Sequence, residues 1–242
     1  MIAVLPQAIG GSPVTCRISK SILSPATGLI SSFDFSLNPY VGCTFACEYC
    51  YAAFFVPDEQ KEADWGKWVE VKANALDLLS QSKKLGGSRV LVGSVTDSYQ
   101  PLEQKVGLTR DLLDFISGML VQPRLVIQTR SPIVTRDIDI LRRFDDLQVN
   151  MSITTDSDEV RKRFEPKCFS IERRLEAVRE LSQAGIRTAV CISPMLPRKD
   201  PAQFAQTLSK LGAERYYAAF STRPEANSPQ APDPTPFESP KR

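Results

Sequence analysis

Histidine is absent from this 242-residue chain. That removes imidazole as a general base, as a zinc ligand and as a member of a Ser/His/Asp triad, so the common hydrolase and Cys/His zinc-finger readings fall away. Long apolar runs are missing too. No stretch approaches the roughly 18 residues of a membrane span, and the opening MIAVLPQAIGGSPVT lacks the basic n-region of a secretory signal. The expectation is a cytoplasmic protein without a membrane association. A surplus of one charge is also lacking: 30 basic against 28 acidic side chains leave a net +2, far from the balance that marks a nucleic-acid binder on charge alone. Even the arginine-crowded segment from Arg124 to Arg179 holds 12 Lys+Arg against 10 Asp+Glu, the composition of a salt-bridged surface. What remains for chemistry is thiolates, carboxylates, lysines, tyrosines or a cofactor.

The chain is long enough to bury the core of one α/β domain. After a nondescript first thirty residues, SFDFSLNPY reads as a short strand, with Phe33 and Phe35 alternating with polar neighbours. RVLVGSV, RLVIQT, LQVNMSI, RTAVCIS and ERYYAAF follow as further strands. Between them lie helix-period segments: Leu108, Leu112, Phe115 and Met119; then Val134, Ile138 and Leu141 behind a Ser131-Pro132 start; then Leu175, Val178 and Leu181 between Ser170 and Gly185; then Phe204, Leu208 and Leu211 behind Asp200-Pro201. Six strand–helix units, lacking only a last helix, imply a parallel sheet with right-handed crossovers. The expected fold is α/β, a parallel partial (β/α)6 barrel, with a doubly wound flat sheet as the alternative. Either way the active site belongs at the carboxyl ends of the strands. Residues 1–32 read as an N-terminal extension and 33–221 as the core domain. Residues 222–242, with six prolines among polar residues, read as a disordered tail.

Six cysteines are present, and in a reducing compartment clustered cysteines point to metal or catalysis before disulfides. Cys43, Cys47 and Cys50 fall within eight residues, in GCTFACEYCY. Structural zinc commonly takes four protein ligands in two separated pairs, and this triplet has no partner pair. A ferredoxin-type carrier needs a fourth cysteine close by, and none follows Cys50 until Cys168. Three thiolates on one loop suit a [4Fe–4S] cluster with one iron left open for a ligand.

The triplet, with Tyr49 just before its last cysteine and the whole motif just after the first strand, resembles that of the radical S-adenosylmethionine (radical SAM) superfamily. NPYVGCTFACEYCYA, VTDSYQPLE, IQTRSPIVTRDIDIL, SITT, FEP, RRLEAVRELSQAGI and ISPMLP arrive in an order that resembles the spore photoproduct lyase-like branch, over about Asn38 to Pro197.

The resemblance implies a [4Fe–4S] cluster and S-adenosylmethionine as cofactors, with reductive cleavage of the latter to a 5′-deoxyadenosyl radical that abstracts hydrogen from a substrate. It implies an electron donor such as a flavodoxin or ferredoxin, and a nucleic acid base or lesion as substrate by family analogy alone. By position, Gly93, Ser94 and Thr96 would lie beside the cofactor's amino group, Arg130 would hold its carboxylate, Ser152 and Thr154 would bond its ribose, and Tyr49 would flank its adenine.

Bland roles compete: Arg130 as a surface ion-pairer, Thr96-Asp97 as a turn opener, Glu103 as structural and Glu165 as an ion-pair partner of Arg173 or Arg174. Cys191 reads as a small core residue, and Cys16 and Cys168 as unassigned thiols in loops. A radical SAM enzyme for a peptide or small metabolite, a non-catalytic iron–sulfur protein and a structural zinc protein stay open as alternatives. The branch's lyases keep a cysteine near the end of the second strand to return hydrogen to the product, whereas VLVGSVTDSYQ has none. A substrate or radical termination other than spore photoproduct repair is therefore expected.

Overall fold

The computed structural model describes residues 5–219, so the proline-rich tail lies outside the described residues. Strands β1 (Ala8–Ile9), β2 (Ser12–Arg17) and β3 (Leu23–Pro25) are followed by β4 (Phe35–Leu37) and β5 (Tyr40–Val41), and the last runs directly into Gly42 and Cys43. Beyond the cysteine loop come α1 (Glu59–Ala63), β6 (Val69–Lys72) and α2 (Ala75–Ser80). The chain then alternates through β7 (Arg89–Val92), α3 (Glu103–Val106) and α4 (Leu108–Ser117) to β8 (Arg124–Thr129). A 3-10 segment (Pro132–Asp137) and α5 (Ile138–Leu141) follow, then β9 (Leu147–Ser152), α6 (Asp158–Phe164) and α7 (Ile171–Gln183), and finally β10 (Arg187–Ile192), α8 (Pro201–Ser209) and β11 (Arg215–Ala218).

The large sheet has the order β11-β10-β9-β8-β7-β4-β3, parallel throughout except for β3 on the edge of β4. Across the six parallel strands, spatial order equals chain order. A doubly wound sheet reverses direction at a central strand and carries helices on both faces; here every crossover steps the same way, which puts the helices on one face and curls the other inward. This is an open barrel, ending at β3 and β11.

Alternation along the strands separates two environments. Leu37, Val90, Val92, Leu125, Ile127, Val149, Met151 and Val190 enter one apolar cluster with the helices, among them Leu112, Leu113 and Ile116 of α4 and Ala177, Val178 and Leu181 of α7. Burying each large aliphatic side chain stabilises by roughly 1.5–3 kcal/mol. The opposite face carries Gln128, Gln148, Asn150, Ser152 and Cys191; register pairs Gln128 with Asn150 and Ser152 with Cys191.

The helix starts follow local chemistry. Ser131, Ser170 and Asp200 each accept a backbone N–H of the first turn, and Pro132 and Pro201 stand at the opening positions. Where the pattern misleads is instructive. Phe115 is 38% exposed, because the buried stripe of α4 is centred on Leu112, Leu113 and Ile116 and leaves Phe115 at its rim; the helix ends at Ser117, ahead of Met119. The segment from Val134 to Leu141 is not one helix but a 3-10 stretch followed by one α turn. Residues 5–30 form three strands and a 3-10 turn (Gly28–Ile30). Of these, β2 pairs with β6 in a small second sheet ordered β1-β2-β6-β5, and Cys16 lies exposed on β2 rather than in a loop. Among the described residues no helix is long and apolar enough to cross a membrane.

Candidate metal and cofactor centre

The cysteine loop is held in place by its backbone. Gly42 adopts φ +79°, and a Cβ there would sit 2.8 Å from the Trp68 ring and carbonyl, so only glycine lets the chain turn off β5 at this point. Ala46 is also left-handed (φ 54°), and a Cβ on Gly66 would come within 2.3 Å of the Ala46 methyl. Two side chains that follow β7 clamp the loop. Thr96 donates to the Gly42 carbonyl at 2.6 Å, and Gln100 accepts from Thr44 N at 2.9 Å and donates to Gly42 O at 3.3 Å. From the other side, Glu48 N donates to Phe164 O at 2.9 Å.

Cys43, Cys47, Phe45 and Cys168 form an apolar cluster of their own, with Tyr49, Cys50, Trp65 and Phe169 packed against it. Phe45 and Phe169 meet edge to face, with ring centroids 6.0 Å apart. Cys43 and Cys47 are buried and Cys50 is half-buried. Burial pushes the Cys43 and Cys50 thiols up, while a hydrogen bond from Cys168 draws Cys47 down. An open pocket of about 460 Å³ borders Cys47 and Cys50, lined also by Glu48, Glu59, Glu62 and Trp65.

Among the described residues no group of three or more His, Cys, Asp or Glu side chains converges as the ligands of a single ion must. The chemistry of the donors offered here, three thiols on one segment with no imidazole or carboxylate among them, is that of an iron–sulfur cluster site.

Beside the loop, Tyr49, Arg130, Thr154 and Glu165 converge. Glu165 is fully buried and accepts from the Tyr49 hydroxyl, from Thr154 Oγ1 at 2.8 Å and from Arg130 Nη1 at 2.9 Å; its other oxygen lies 2.6 Å from Arg174 Nη2. Burial works against its charge, but the Arg130 and Arg174 guanidiniums and the Tyr49 hydroxyl hold its carboxyl down at about 2. Arg130 Nη1 also donates to the Tyr49 hydroxyl at 2.5 Å, and the guanidinium lies 5.6 Å from that ring's centroid. Both hydrogen bonds come from Nη1, so the rest of the fork is engaged by neither Tyr49 nor Glu165. Arg130 is thus no surface residue.

The other expected cofactor residues make no direct hydrogen bond to Tyr49, Arg130 or Glu165, although the Ser152 carbonyl accepts from Arg174 Nη1 at 3.3 Å. Gly93 (φ +88°) makes its close approach to the Gln128 carbonyl, 2.5 Å from where a Cβ would be. The Ser94 hydroxyl accepts from Asn38 at 3.1 Å, and its carbonyl accepts from the Tyr51 hydroxyl. Ser152 accepts from Gln128 Nε2 at 2.9 Å on the inner face, where Cys191 Sγ lies 3.7 Å from Gln128 Oε1. Cys191 therefore belongs to the polar inner face and not to the helix-covered core.

Asp97 does more than open a turn: besides accepting from Tyr99 N it accepts from Thr129 Oγ1 at 2.7 Å and Arg130 N at 2.8 Å, tying the ends of β7 and β8 together. Glu103 is structural, bonded to the Tyr40 hydroxyl, to Arg136 and to the Thr109 and Arg110 amides of α4. Glu165 pairs with Arg174, while Arg173 stacks over Phe169.

The residues missed by reading the chain alone are Asn38, Gln100 and Cys168. The first two sit inside the NPYVG and TDSYQPLE blocks as polar residues destined for full burial, which is a signal no local pattern carries. Cys168 lies 3.7 Å from Cys47, sulfur to sulfur, across 121 positions of sequence.

The Radical SAM superfamily model matches residues 37–211, and the chain belongs to that superfamily. An uncharacterised protein of Methanocaldococcus jannaschii is 33% identical over 191 residues, which is 79% of this chain and 71% of the relative. A protein of Acidianus two-tailed virus is 24% identical over 204 residues, 77% of this chain and 66% of the relative.

The fold is similar to that of spore photoproduct lyase. The lyase complexed with dinucleoside spore photoproduct superposes with TM-score 0.60 at 18% identity, covering 81% of this chain and 58% of the lyase. A variant with bound AdoMet and the same dinucleoside gives 0.58 at 21% identity, covering 75% and 50%. The chain therefore spans about half the length of the lyases it matches. Family membership implies an iron–sulfur cluster and S-adenosylmethionine as cofactors.

Proposed function

We propose that Cys43, Cys47 and Cys50 hold a [4Fe–4S] cluster, that S-adenosylmethionine binds beside it, and that the enzyme directs a 5′-deoxyadenosyl radical at a nucleic acid base or lesion in the cytoplasm. The observation that carries this reading is the placement of the three thiols: one loop, in its own apolar cluster, clamped by Thr96 and Gln100 to the carboxyl ends of parallel strands and flanked by Arg130. When bound, the cluster and cofactor supply the electron and the carbon–sulfur cleavage, with a flavodoxin or ferredoxin as reductant.

The chain's own residues bind and orient. Arg130, fixed by Glu165 and Tyr49 through Nη1, offers its remaining N–H donors to the cofactor's carboxylate. Tyr49 flanks the adenine, Ser152 and Thr154 serve the ribose hydroxyls, and the segment from Gly93 to Thr96 serves the amino group. Gln128, Gln148 and Asn150, linked through their amides on the inner face, present neutral donors and acceptors. Such groups complement the edges of an uncharged base rather than a charged head group.

The test is anaerobic reconstitution with iron and sulfide, then S-adenosylmethionine and dithionite, with nucleoside products read by mass spectrometry. 5′-Deoxyadenosine should form, and alanine at all three cysteines should abolish both it and bound iron. Zinc as the bound metal, or iron retained in the triple variant, would overturn the assignment.

A further inference from the structure

Cys168 is a fourth thiol set against the cysteine triplet, on a segment of its own. Its carbonyl accepts from Arg161 Nη1 at 2.8 Å, its amide donates to Glu165 O at 3.0 Å, and its sulfur lies 4.0 Å from Phe45 O and 3.7 Å from Cys47 Sγ. Both ends of the contact are anchored, because Glu48 N, next to Cys47, bonds Phe164 O on the same segment. A disulfide needs an S–S distance of about 2.05 Å, so the two sulfurs must approach by less than about 2 Å. Cys47 also lines the open pocket, whereas Cys168 does not. The pair thus has one cysteine on the pocket wall, where a small reagent can enter, and a second within 3.7 Å of its sulfur, placed to resolve the product.

We propose that in the cluster-free protein Cys47 and Cys168 form a reversible disulfide by exchange with a small-molecule disulfide, and that this latch withholds Cys47 from cluster assembly until it is reduced. The exchange balances. Cys47 attacks the reagent and releases its first thiol; Cys168 then attacks the Cys47 mixed disulfide and releases the second. Two protein S–H groups are oxidised to one S–S bond, the reagent's S–S bond is reduced, and the two protons leave on the two small thiols. Glu48, Glu59 and Glu62 line the same pocket, so a cationic disulfide is the preferred reagent and an anionic one is disfavoured.

The inference goes beyond the proposed function, and its first readout needs no cluster. The apoprotein, full length, is treated anaerobically with cystamine or with oxidised glutathione, blocked with an alkylating agent, and mapped by non-reducing peptide mass spectrometry. The expected result is one internal link, Cys47 to Cys168, with exposed Cys16 as a mixed disulfide. Cystamine should be faster by about tenfold at low ionic strength, with the difference shrinking in salt. In Cys168→Ser the link should vanish and a stable mixed disulfide should remain on Cys47.

Iron and sulfide are then offered to linked and reduced wild-type protein. Only the reduced form should take up iron, and dithiothreitol should restore uptake to the linked one. A link within the triplet, no link at all, or normal uptake by the linked chain would each overturn the latch. Failure of the reduced wild-type protein to take up iron would instead count against the cluster assignment, leaving the mapped link standing.

Discussion

Replacing Glu165 with glutamine keeps the shape of the side chain and removes its charge. Two guanidiniums would then face each other through a neutral amide: Arg174, whose side chain is 0% exposed, and Arg130, 18% exposed. Removing one member of a buried ion pair costs about 3–5 kcal/mol, because the partner charge is left uncompensated. Out of a total stability of roughly 5–15 kcal/mol this is a large share. At about 2–4 °C per kcal/mol for a chain of this size, the midpoint of thermal unfolding should fall by roughly 10 °C.

The pH dependence checks the same physics. The carboxyl is depressed in the folded protein, from 4.5 to about 2, so its contribution is fully present above about pH 4.5 and is lost as pH falls toward 2. Denaturant unfolding of wild type and Glu165→Gln, followed from pH 7 down to 3, should therefore show two curves that converge at the acid end. Glu165→Gln combined with Arg174→Met should recover part of the loss. A loss under about 1 kcal/mol at pH 7, or curves that stay parallel into acid, would refute the reasoning, since the two arginines would then be solvated without their carboxylate.

Arg130→Ala should weaken S-adenosylmethionine binding by about 1.5–3 kcal/mol, roughly ten- to a hundredfold in dissociation constant, with iron content retained; calorimetry on the reconstituted protein reads this directly. Gly93→Ala, with a Cβ 2.5 Å from the Gln128 carbonyl at φ +88°, should destabilise by more than about 1 kcal/mol in chemical denaturation, and an unchanged midpoint would mean that the β7–β8 contact relaxes freely. The segment after β7 holds no cysteine, so the reduced, cofactor-loaded enzyme should not convert dinucleoside spore photoproduct to two thymines over many turnovers; liquid chromatography of the products decides this, and clean multi-turnover repair would contradict it.

Much of this protein could be read from local pattern. Strand-length apolar runs, the Ser131-Pro132 and Asp200-Pro201 starts, the stop at Gly185 and the cysteine spacing are all written within a few residues of one another, and each depends on backbone chemistry that acts over the same short range. Those features delivered the six parallel strands and the thiol triplet. Direction of winding did not follow from them. Partial barrel and doubly wound sheet have the same alternation, and only the pairing of β4 with β7, and of each later strand with the one before it, chose between the two.

The surroundings of the cysteine loop were equally hidden. Glu165 meets Arg130 and Tyr49, Gln100 bonds Gly42 and Thr44, and Cys168 reaches Cys47, all across large separations in sequence. Which polar side chains become buried partners is decided when the strand ends converge. Buried hydrogen bonds and ion pairs are satisfied in space, so no periodicity along the chain announces them.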